Sequence, residues 1–379
     1  MDLKKRLQIF WRKKLLHKSI PEGVGVSHYG TIRLGSDVVV DGLDHTRKSR
    51  IRVQTHAHKD HTYGWVKHIK PGRALLATEP TIKILSIENK NVKINGNIHI
   101  SLHGEIKEIK GLIQSNHLVN HELDFGNLSL YDANHMTGSS QVLYQNNSKN
   151  YSALYSGDIG WPIQEIPESE ILILDTTYSE LEASRNKEYT REDAVNKLLG
   201  LISSNLSHKP IYLYARYGMM QELIEKIIEN INANINFVAS EDLIRKTEIM
   251  AGFRTSLPKI TNYDEFNYDL KNVIHLKDFH KKQNETLPGV NLTITNFRSQ
   301  NELQNTPDEV TGEYQNYNIP ITNHANGNEL FEYIDRVNPQ IVITDSYRNN
   351  PSSVKLSENI KKKFNILSLP SSQLSTWEI

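Results

Sequence analysis

The sequence contains no cysteine among its 379 residues. This absence excludes disulfides, thiolate nucleophiles and cysteine-based zinc fingers, and it is typical of an intracellular protein. No apolar run approaches the roughly 18 residues that a membrane span requires. The N-terminus also lacks the uninterrupted apolar segment of a signal peptide. We therefore expect a cytoplasmic protein without a membrane span.

The chain also lacks a net charge, because 44 lysines and arginines balance 44 aspartates and glutamates. Any affinity for nucleic acid must therefore come from a local patch. Residues 1–19 are strongly basic, and their apolar side chains recur at the spacing of an amphipathic helix. This helix is either a nucleic-acid arm, a membrane-surface contact or a terminal helix docked on the body with a solvated basic face. We favour the docked helix.

Short strands dominate residues 24–178, and helices alternate with strands from about residue 185. The strands predicted in the first stretch are Thr31–Leu34, Val38–Val40, Arg52–Thr55, Val92–Ile94, Leu128–Asp132, Val142–Tyr144 and Ala153–Ser156. In the second stretch a capping box of Thr190 and Asp193 opens a helix through Ile202. The elements after it are Ile211–Ala215, Met219–Ile231, Ile235–Val238, Glu241–Met250, Asn272–His275, Leu292–Thr295, Asn328–Val337, Ile341–Thr344 and Lys355–Phe364. This alternation predicts a parallel sheet with crossover helices, and the length allows two domains.

Residues 56–61 read His-Ala-His-Lys-Asp-His and follow a short apolar strand. In an extended turn His56 and His58 point to the same side, because side chains alternate along extended backbone. Asp60 and His61 can then point at a second ion beside the first. Imidazole nitrogen and carboxylate oxygen suit zinc, manganese or iron, and hydrolytic metal pairs lie about 3.5–4 Å apart. The alternative is a polar loop that is rich in histidine by chance. Chance does not readily explain three of the chain's 16 histidines within six residues.

Two further ligand candidates follow predicted strands. His135 comes after Leu128–Asp132, and Asp158 comes after Ala153–Ser156. Strand ends that feed a shared face are where a sheet collects ligands. The predicted first site is His56, His58 and His135, and the second is Asp60 and His61, with Asp158 between the two. Upstream, Asp41 is placed to accept the second N–H of a ligating histidine.

A separate set of residues has the chemistry of a phosphate contact. Gly218 begins a predicted helix, whose free N–H groups attract a phosphate, and Arg216 can add a forked contact. The backbone of Ser139 and Ser140 can do the same near the metal site. An equally favoured alternative is that Arg216 is an ordinary surface arginine and Gly218 is a turn residue. We assign no role beyond a solvent-facing or structural one to His275.

The chain resembles a known family in six motifs. THAHKDH at 55–61, ANHMTGSS at 133–140 and SGDIG at 156–160 are similar to the successive ligand motifs of the metallo-β-lactamase fold. Three others are similar to motif A, the strand-to-helix entry and motif B of its β-CASP branch, namely LDTTY at 174–178, ARYGMMQELIE at 215–225 and ITNHANGNELFEYI at 321–334. The resemblance runs from about residue 24 to 348. Val40–His61 together with DTTY most resembles the Artemis-type and cross-link-repair DNA nucleases.

This resemblance implies an α/β fold. A metallo-β-lactamase αββα sandwich would be built from 20–182 and 320–379, and a β-CASP domain of 183–319, a parallel sheet with flanking helices, would be inserted. The implied activity is that of a nuclease that hydrolyses phosphodiester bonds by attack of metal-bound hydroxide. DNA is the favoured substrate, in 5′ exonuclease-like repair or processing. The implied cofactor is Zn²⁺, one or two ions, with the second site weaker or taken by Mn²⁺ or Mg²⁺.

The resemblance also assigns roles to residues. His56, His58 and His135 would bind the first metal, Asp60 and His61 the second, and Asp158 both. Asp175 and His324 would be motifs A and B. An aspartate that accepts from an imidazole orients it and raises its pKa, so that it can donate a proton to a departing 3′-oxygen. Asp60, Asp175 and His324 are therefore the candidate catalytic residues. Alternatively, Asp175 caps the following turn and His324 is a satisfied loop histidine.

One departure from the family pattern concerns motif C. In RNA-cleaving members this motif is a histidine that completes the second metal site, whereas DNA-cleaving members have an aliphatic residue. Here the strand end carries Asp345, which either ligates through oxygen or points away and leaves the second site short of a ligand. The alternatives to a DNA nuclease are an RNA-processing β-CASP ribonuclease, a small-molecule metallo-hydrolase and a non-catalytic nucleic-acid-binding relative. Cleavage polarity and oligomeric state stay open.

Overall fold

The structure is a computed structural model, and it describes residues 20–27, 29–43, 49–65, 74–88, 97–102, 105–108, 126–177, 190–252, 257–266, 271–279, 287–295, 309–311, 314–347 and 350–374. The N-terminal helix expected at 1–19 and the strand and turn expected at 92–96 lie outside these residues. No helix in the described part is long and apolar enough to cross a membrane.

The chain divides into two compact units. The first comprises Met1–Ala183 and His324–Ile379, and the second comprises Ser184–Asn323. The second unit is therefore an insertion in the sequence of the first, at positions close to the expected insert of 183–319. Both units combine sheets with helices, and the chain has the α/β class that the sequence predicts.

The first unit contains two sheets. The strands of the seven-stranded sheet, in spatial order, are β1 (Val24–Val26), β2 (Ile32–Leu34), β3 (Val38–Val40), β4 (Ile51–Val53), β5 (Ala74–Thr78), β6 (Asn97–Leu102) and β7 (Glu105–Glu108). Helix α1 (Glu79–Glu88) packs against β5 and β6. The strands of the six-stranded sheet, in spatial order, are β20 (Leu367–Pro370), β19 (Ile341–Thr344), β11 (Ile171–Leu174), β10 (Tyr151–Tyr155), β9 (Ser140–Asn146) and β8 (Gly126–Asp132).

The two sheets enclose one apolar core, and the second sheet has another core on its opposite face. Because side chains alternate along a strand, Ala153 and Ile173 point into the core shared with the first sheet. Their neighbours Leu154 and Leu172 point to the other side. There they pack against α5 (Gly327–Val337) and α6 (Asn350–Phe364) through side chains that include Tyr333, Ile334, Leu356 and Ile360.

The directions of the strands bring the candidate ligands to shared edges. Strands β3, β4 and β5 are parallel to one another, so the residues after β3 and β4 leave the sheet at the same edge. In the second sheet β10, β11 and β19 are also parallel. Strand β8 runs in the same direction as β10, because β9 lies between them and pairs antiparallel with both. The candidate ligands follow the carboxyl ends of β4, β8, β10 and β11.

The second unit is built on a seven-stranded sheet in which most strands are parallel. Its strands, in spatial order, are β14 (Thr261–Asn262), β13 (Asn236–Ala239), β15 (Val273–Asp278), β12 (Ile211–Ala215), β16 (Gly289–Thr295), β18 (Tyr314–Pro320) and β17 (Glu309–Thr311). The helices α2 (Arg191–Asn205), α3 (Met219–Asn230) and α4 (Glu241–Ala251) contribute to its apolar core. The predicted capping box is confirmed: Thr190 is the N-cap of α2 and exchanges hydrogen bonds with Asp193.

Candidate metal centre

The described residues contain three overlapping groups with the composition of a metal site. The first is His56, His58, His135 and Asp158, the second is Asp60, His61 and Asp158, and the third is Asp158, Asp175 and His324. Within each group the potential ligand atoms lie within 4.8 Å of one another. The structure therefore brings together all six expected metal ligands and both residues expected to assist catalysis. Asp158 belongs to every group.

The first group has the spacing of a tetrahedral site. Nδ1 of His58 lies 3.1 Å from Nε2 of His56 and 3.2 Å from Nε2 of His135. Oδ2 of Asp158 lies 3.6 and 3.7 Å from the same two Nε2 atoms. Zinc–nitrogen bonds of 2.0–2.1 Å in a tetrahedron place adjacent donor atoms about 3.4 Å apart. The observed distances bracket that value, so the residues present fit a zinc ion.

Burial favours the neutral form of the His56 imidazole. His56 is fully buried. Desolvation, together with the nearby His61, His58 and His135, lowers the pKa of His56 well below its ordinary 6.5, although Asp158 opposes the shift. A metal ligand must be an unprotonated imidazole. The burial of His56 therefore prepares it as a ligand over the whole neutral range of pH.

The second group shares Asp158 through its other oxygen. Oδ1 of Asp158 lies 3.0 Å from Nε2 of His61, and Oδ2 of Asp60 lies 3.7 Å from the same nitrogen. His61 is fully buried, whereas the Asp60 side chain is 58% exposed. This group has three members instead of four, and one of them faces solvent. Its donor set also fits a metal ion, with fewer protein ligands than the first group.

Asp41 orients two of the histidines from behind. Oδ2 of Asp41 lies 2.6 Å from Nδ1 of His61 and accepts a hydrogen bond of 2.6 Å from the Thr55 hydroxyl. Oγ1 of Thr55 lies 3.0 Å from Nδ1 of His56. In each ring the Nδ1 contact leaves Nε2 directed at its ligand group. The structure places Asp41 where the sequence suggested, and one carboxylate reaches a histidine of both groups.

Arg52 and Gln54 hold the loop that carries these histidines. The buried Arg52 guanidinium donates to the backbone oxygens of Gly42, His61 and Tyr63. It also donates to Oε1 of Gln54 at 3.1 Å, and the Gln54 amide donates to Oδ1 of Asp41. The sequence analysis missed Thr55, Gln54 and Arg52. The polar side chains at Arg52 and Gln54 in an otherwise buried strand were the available signal.

The loop that carries His135 is fixed by its own serines. Oγ of Ser139 accepts the backbone N–H groups of His135 and Met136, each at 3.1 Å, and the N–H of Ser139 donates to the Met136 oxygen. Ser140 is the first residue of β9, where it pairs with Asp132. Both serines are buried. These contacts engage the N–H of Ser139 within the loop. The phosphate contact of Ser139 and Ser140 stays a prediction.

The third group contains the Asp175–His324 pair at a longer distance than the sequence suggested. Oδ2 of Asp175 lies 3.8 Å from Nδ1 of His324, which is too far for a hydrogen bond. Oδ1 of Asp175 accepts from the N–H and the hydroxyl of Thr177. Nε2 of His324 lies 3.9 Å from Oδ2 of Asp158, and its ring lies 4.4 Å from that of His135. The two residues are adjacent, and Asp175 also caps the turn after β11.

Hydrogen bonds between main-chain groups tie the loops of His135, Asp158 and His324 together. They run from Gly160 N to Ala133 O at 2.9 Å and from Ala325 N to Ile159 O at 2.6 Å. Each bond joins residues that lie within two positions of the candidate ligands. The three loops therefore hold one another in place.

A buried side-chain network supports the same loops from the helix side. The hydroxyl of Tyr333 on α5 donates to Oε1 of Gln141 at 2.7 Å. The Gln141 amide donates to the backbone oxygens of Asp132 and Glu165, at 2.7 and 3.0 Å. The sequence analysis missed this network, because Tyr333 and Gln141 read as ordinary members of a helix and a strand.

Asp345 is in none of the three groups. It follows β19, and its Oδ1 accepts the N–H of Tyr347 at 2.8 Å. Its backbone N–H donates to the oxygen of Leu174, and its backbone oxygen accepts from the Thr176 hydroxyl. Asp345 is therefore not among the candidate ligands that the described residues bring together, and its role at motif C stays a prediction.

The other two phosphate candidates lie in the second unit. Gly218 has a φ of +93° and is the N-cap of α3, but its N–H donates to Oε1 of Gln221 at 2.6 Å. The exposed Arg216 places its guanidinium 5.6 Å from the centre of the Phe279 ring. The expected helix start is therefore confirmed, and the N–H of Gly218 is engaged within the helix.

No protein family and no curated protein matches the chain. Among solved structures, it is similar to the crystal structure of a protein of unknown function from Enterococcus faecalis V583. The two chains share 13% sequence identity with a TM-score of 0.54, and the similarity covers 88% of this chain and 94% of that one. At this identity the likeness concerns the fold alone.

Proposed function

We propose that this chain is a metal-dependent phosphodiesterase that hydrolyses nucleic acid, with DNA preferred over RNA. In this proposal the first unit is a metallo-β-lactamase αββα sandwich and the second is a β-CASP domain. The observation that carries the proposal is the position of Asp158. One of its oxygens faces His56 and His135, and the other faces His61, as expected for a carboxylate shared by two metal ions.

In this proposal the residues of the metal centre have separate roles. Metal ions in the first two groups would supply Lewis-acid stabilisation of a phosphoryl group and acidify water. Asp158 holds the two ligand groups in a fixed relation to each other. Asp41 and Thr55 set the direction of His61 and His56. This rigidity matters, because a displacement of about 1 Å at a catalytic group can reduce the rate about a hundredfold.

His324 is the proposed proton donor to the leaving 3′-oxygen. Its imidazole lies beside Asp158, at the edge of the first group, and it is only partly buried. The Asp175 carboxylate lies 3.8 Å from Nδ1 of His324, on the side of the ring away from Asp158. A positioned general acid typically contributes about 10²- to 10⁴-fold in rate. Asp175 is a positioning residue in this account, since it acts through His324.

Two observations support the choice among related activities. Asp345 gives no ligand to the second group, which is the pattern that the resemblance associates with DNA-cleaving members. A hydrolase of small esters needs only the first unit, whereas this chain has an inserted unit of about 140 residues with its own sheet and core. The motifs at 215–225 and 321–334 support the same choice.

The proposal is tested with single-stranded DNA and RNA of one sequence, each labelled at either end. We expect hydrolysis of the DNA with added zinc or manganese, loss of activity with a chelator, and recovery when metal is restored. Asp158→Asn should be inactive while it stays folded, and Lys226→Ala, which removes an exposed side chain of the second unit, is a control outside the metal centre. Failure to hydrolyse any nucleic acid with metal bound would overturn the proposal. Preferential cleavage of RNA would show that RNA, and not DNA, is the preferred substrate.

A further inference from the structure

An exposed tyrosine beside the metal centre has no part in the proposed chemistry. Tyr347 comes shortly after β19 and is 57% exposed. Its ring nevertheless has a fixed support, because it lies so close to Gly30 that a Cβ at that position would collide with three ring atoms. Gly30 has a φ of +73°, a conformation that also favours glycine. The ring is therefore held on one side by backbone and open to solvent elsewhere.

The main chain links Tyr347 to the strand end that carries Asp175. The N–H of Tyr347 donates to Oδ1 of Asp345 at 2.8 Å. The N–H of Asp345 donates to the oxygen of Leu174 at 2.9 Å, and Asp175 is the next residue. Asp175 in turn lies beside His324. Tyr347 is thus attached to the third ligand group through two hydrogen bonds.

The support under Tyr347 leads to a second exposed tyrosine. Gly30 precedes Thr31, whose hydroxyl donates to the backbone oxygen of Leu43 at 2.7 Å. The Leu43 side chain lies directly against Gly64, which has a φ of +79°. Tyr63 precedes Gly64, two residues after the histidine cluster, and is 61% exposed. Tyr63 and Tyr347 are therefore each next to, or in contact with, a glycine of this connected set of turns.

We propose that Tyr347 is a stacking platform for an unpaired nucleobase near the scissile phosphodiester. The inference rests on the proposed function and narrows its substrate to single-stranded nucleic acid. Aromatic rings stack on any base, so they hold a single strand without reading its sequence. A ring already fixed against Gly30 loses little conformational freedom on binding. Paired bases inside a duplex do not offer a free face to such a ring.

A fluorescence experiment tests the platform without catalysis. Single-stranded oligonucleotides with phosphorothioate linkages, which resist hydrolysis, carry 2-aminopurine at successive positions and are mixed with the full-length protein. We expect quenching at one or two positions with the wild type and with Tyr347→Phe. Quenching should be lost with Tyr347→Ala and reduced with Gly30→Ala, which displaces the ring without removing it. Equal quenching by the wild type and Tyr347→Ala would overturn the inference.

Steady-state kinetics provide a second test of the stacking platform. On intact single-stranded DNA, Tyr347→Ala should raise KM by about fivefold to about 150-fold, with little change in kcat. In a scan with one abasic residue at each position, the wild type should lose the same factor at one position, and Tyr347→Ala should lose nothing further there. A KM independent of residue 347 would overturn the platform and leave the nuclease activity standing. Absence of hydrolysis would overturn the proposed function, while the quenching still decides the platform.

Discussion

Oδ2 of Asp41 lies 2.6 Å from Nδ1 of His61, and the same oxygen accepts a hydrogen bond from the hydroxyl of Thr55. Because Thr55 also contacts Nδ1 of His56, a single carboxylate sets the ring orientation of histidines in two ligand groups. Residues that orient metal ligands in this way typically contribute a factor of about 10–100 in metal affinity or activity.

Asp41→Asn should therefore weaken metal binding about 10- to 100-fold, and more at the second group than at the first. The reason is that His61 contacts Asp41 directly, whereas His56 is reached through Thr55. Titration of the metal-depleted protein with zinc against a chromophoric chelator measures both affinities. Thr55→Val is the matched comparison, since it removes the hydroxyl between Asp41 and His56 and keeps the direct contact of Asp41 with His61. Unchanged affinities in Asp41→Asn would show that the carboxylate does not orient the ligands.

The buried Tyr333–Gln141 hydrogen bond should contribute to stability. Burial raises the pKa of Tyr333, so its hydroxyl stays protonated and donates to Gln141. Tyr333→Phe leaves a buried oxygen of Gln141 without its donor, and we expect the free energy of unfolding to fall by about 1–3 kcal/mol. Urea denaturation measures this change. Tyr317→Phe is the control, because Tyr317 is a buried residue whose hydroxyl shows no hydrogen bond to the described residues. Equal losses in both variants would contradict the prediction.

His275 should make the stability depend on pH. Its ring stacks on those of Tyr212 and Tyr263, with centroids 4.8 and 5.9 Å away. Burial, with a smaller effect of Lys277, lowers the pKa of His275 from 6.5 to about 4. Between these values the unfolded chain binds the proton and the folded one does not. Its contribution to stability is therefore complete above pH 6.5 and is lost as the pH falls toward 4.

His275→Phe keeps an aromatic ring in the stack and removes the titration. Urea denaturation at several pH values should show a smaller loss of stability on acidification in this variant than in the wild type. Parallel stability curves for the two proteins between pH 7 and pH 4 would contradict the assigned pKa. The structure also corrects the sequence analysis here, since His275 is buried and the solvent-facing alternative is wrong.

Sequence patterns located some elements and missed others for a physical reason. The strands Val38–Val40, Ile211–Ala215 and Ile341–Thr344 were predicted with their observed bounds, because apolar runs end at polar or turn residues. Ile171–Leu174 and Ala74–Thr78 were missed. Every residue in these two strands is buried, so alternation cannot identify them. The same holds for Val38–Val40 and Ile341–Thr344, which only their bounding polar or turn residues identified.

Some features of the candidate site have a local sequence pattern and others do not. The histidine cluster at 56–61 is a local pattern, and the sequence therefore revealed it directly. The contact of Thr55 with Asp41 depends on the parallel pairing of β3 and β4, which no local pattern encodes. The proximity of Asp175 and His324 likewise required either the folded chain or the family resemblance, because separate elements carry them.

The role of His324 can be separated from metal binding. If its imidazole protonates the leaving oxygen, His324→Ala should reduce kcat by about 10²- to 10⁴-fold without loss of metal. Asp175→Asn should behave similarly, and the double variant should be little worse than either single one. In a substrate with a 3′-phosphorothiolate at the cut site, the leaving group is a thiolate, which departs without being protonated. This substrate should restore much of the rate in His324→Ala while helping the wild type far less.

Equal acceleration of both proteins by the phosphorothiolate would return His324 to a positioning role. Loss of metal in His324→Ala would instead make it a ligand, since its Nε2 lies 3.9 Å from the shared carboxylate of Asp158. Elemental analysis of the variant distinguishes these outcomes before any kinetic measurement.

The metal content of the protein tests the central claim most directly. Elemental analysis after purification without added metal should find close to one zinc per chain, bound by the four-residue first group. Titration should then add a second, weaker ion in the wild type but not in Asp60→Asn, which keeps the histidines of the first group and loses the carboxylate of the second. A correctly folded wild type that binds no metal under either condition would contradict the account.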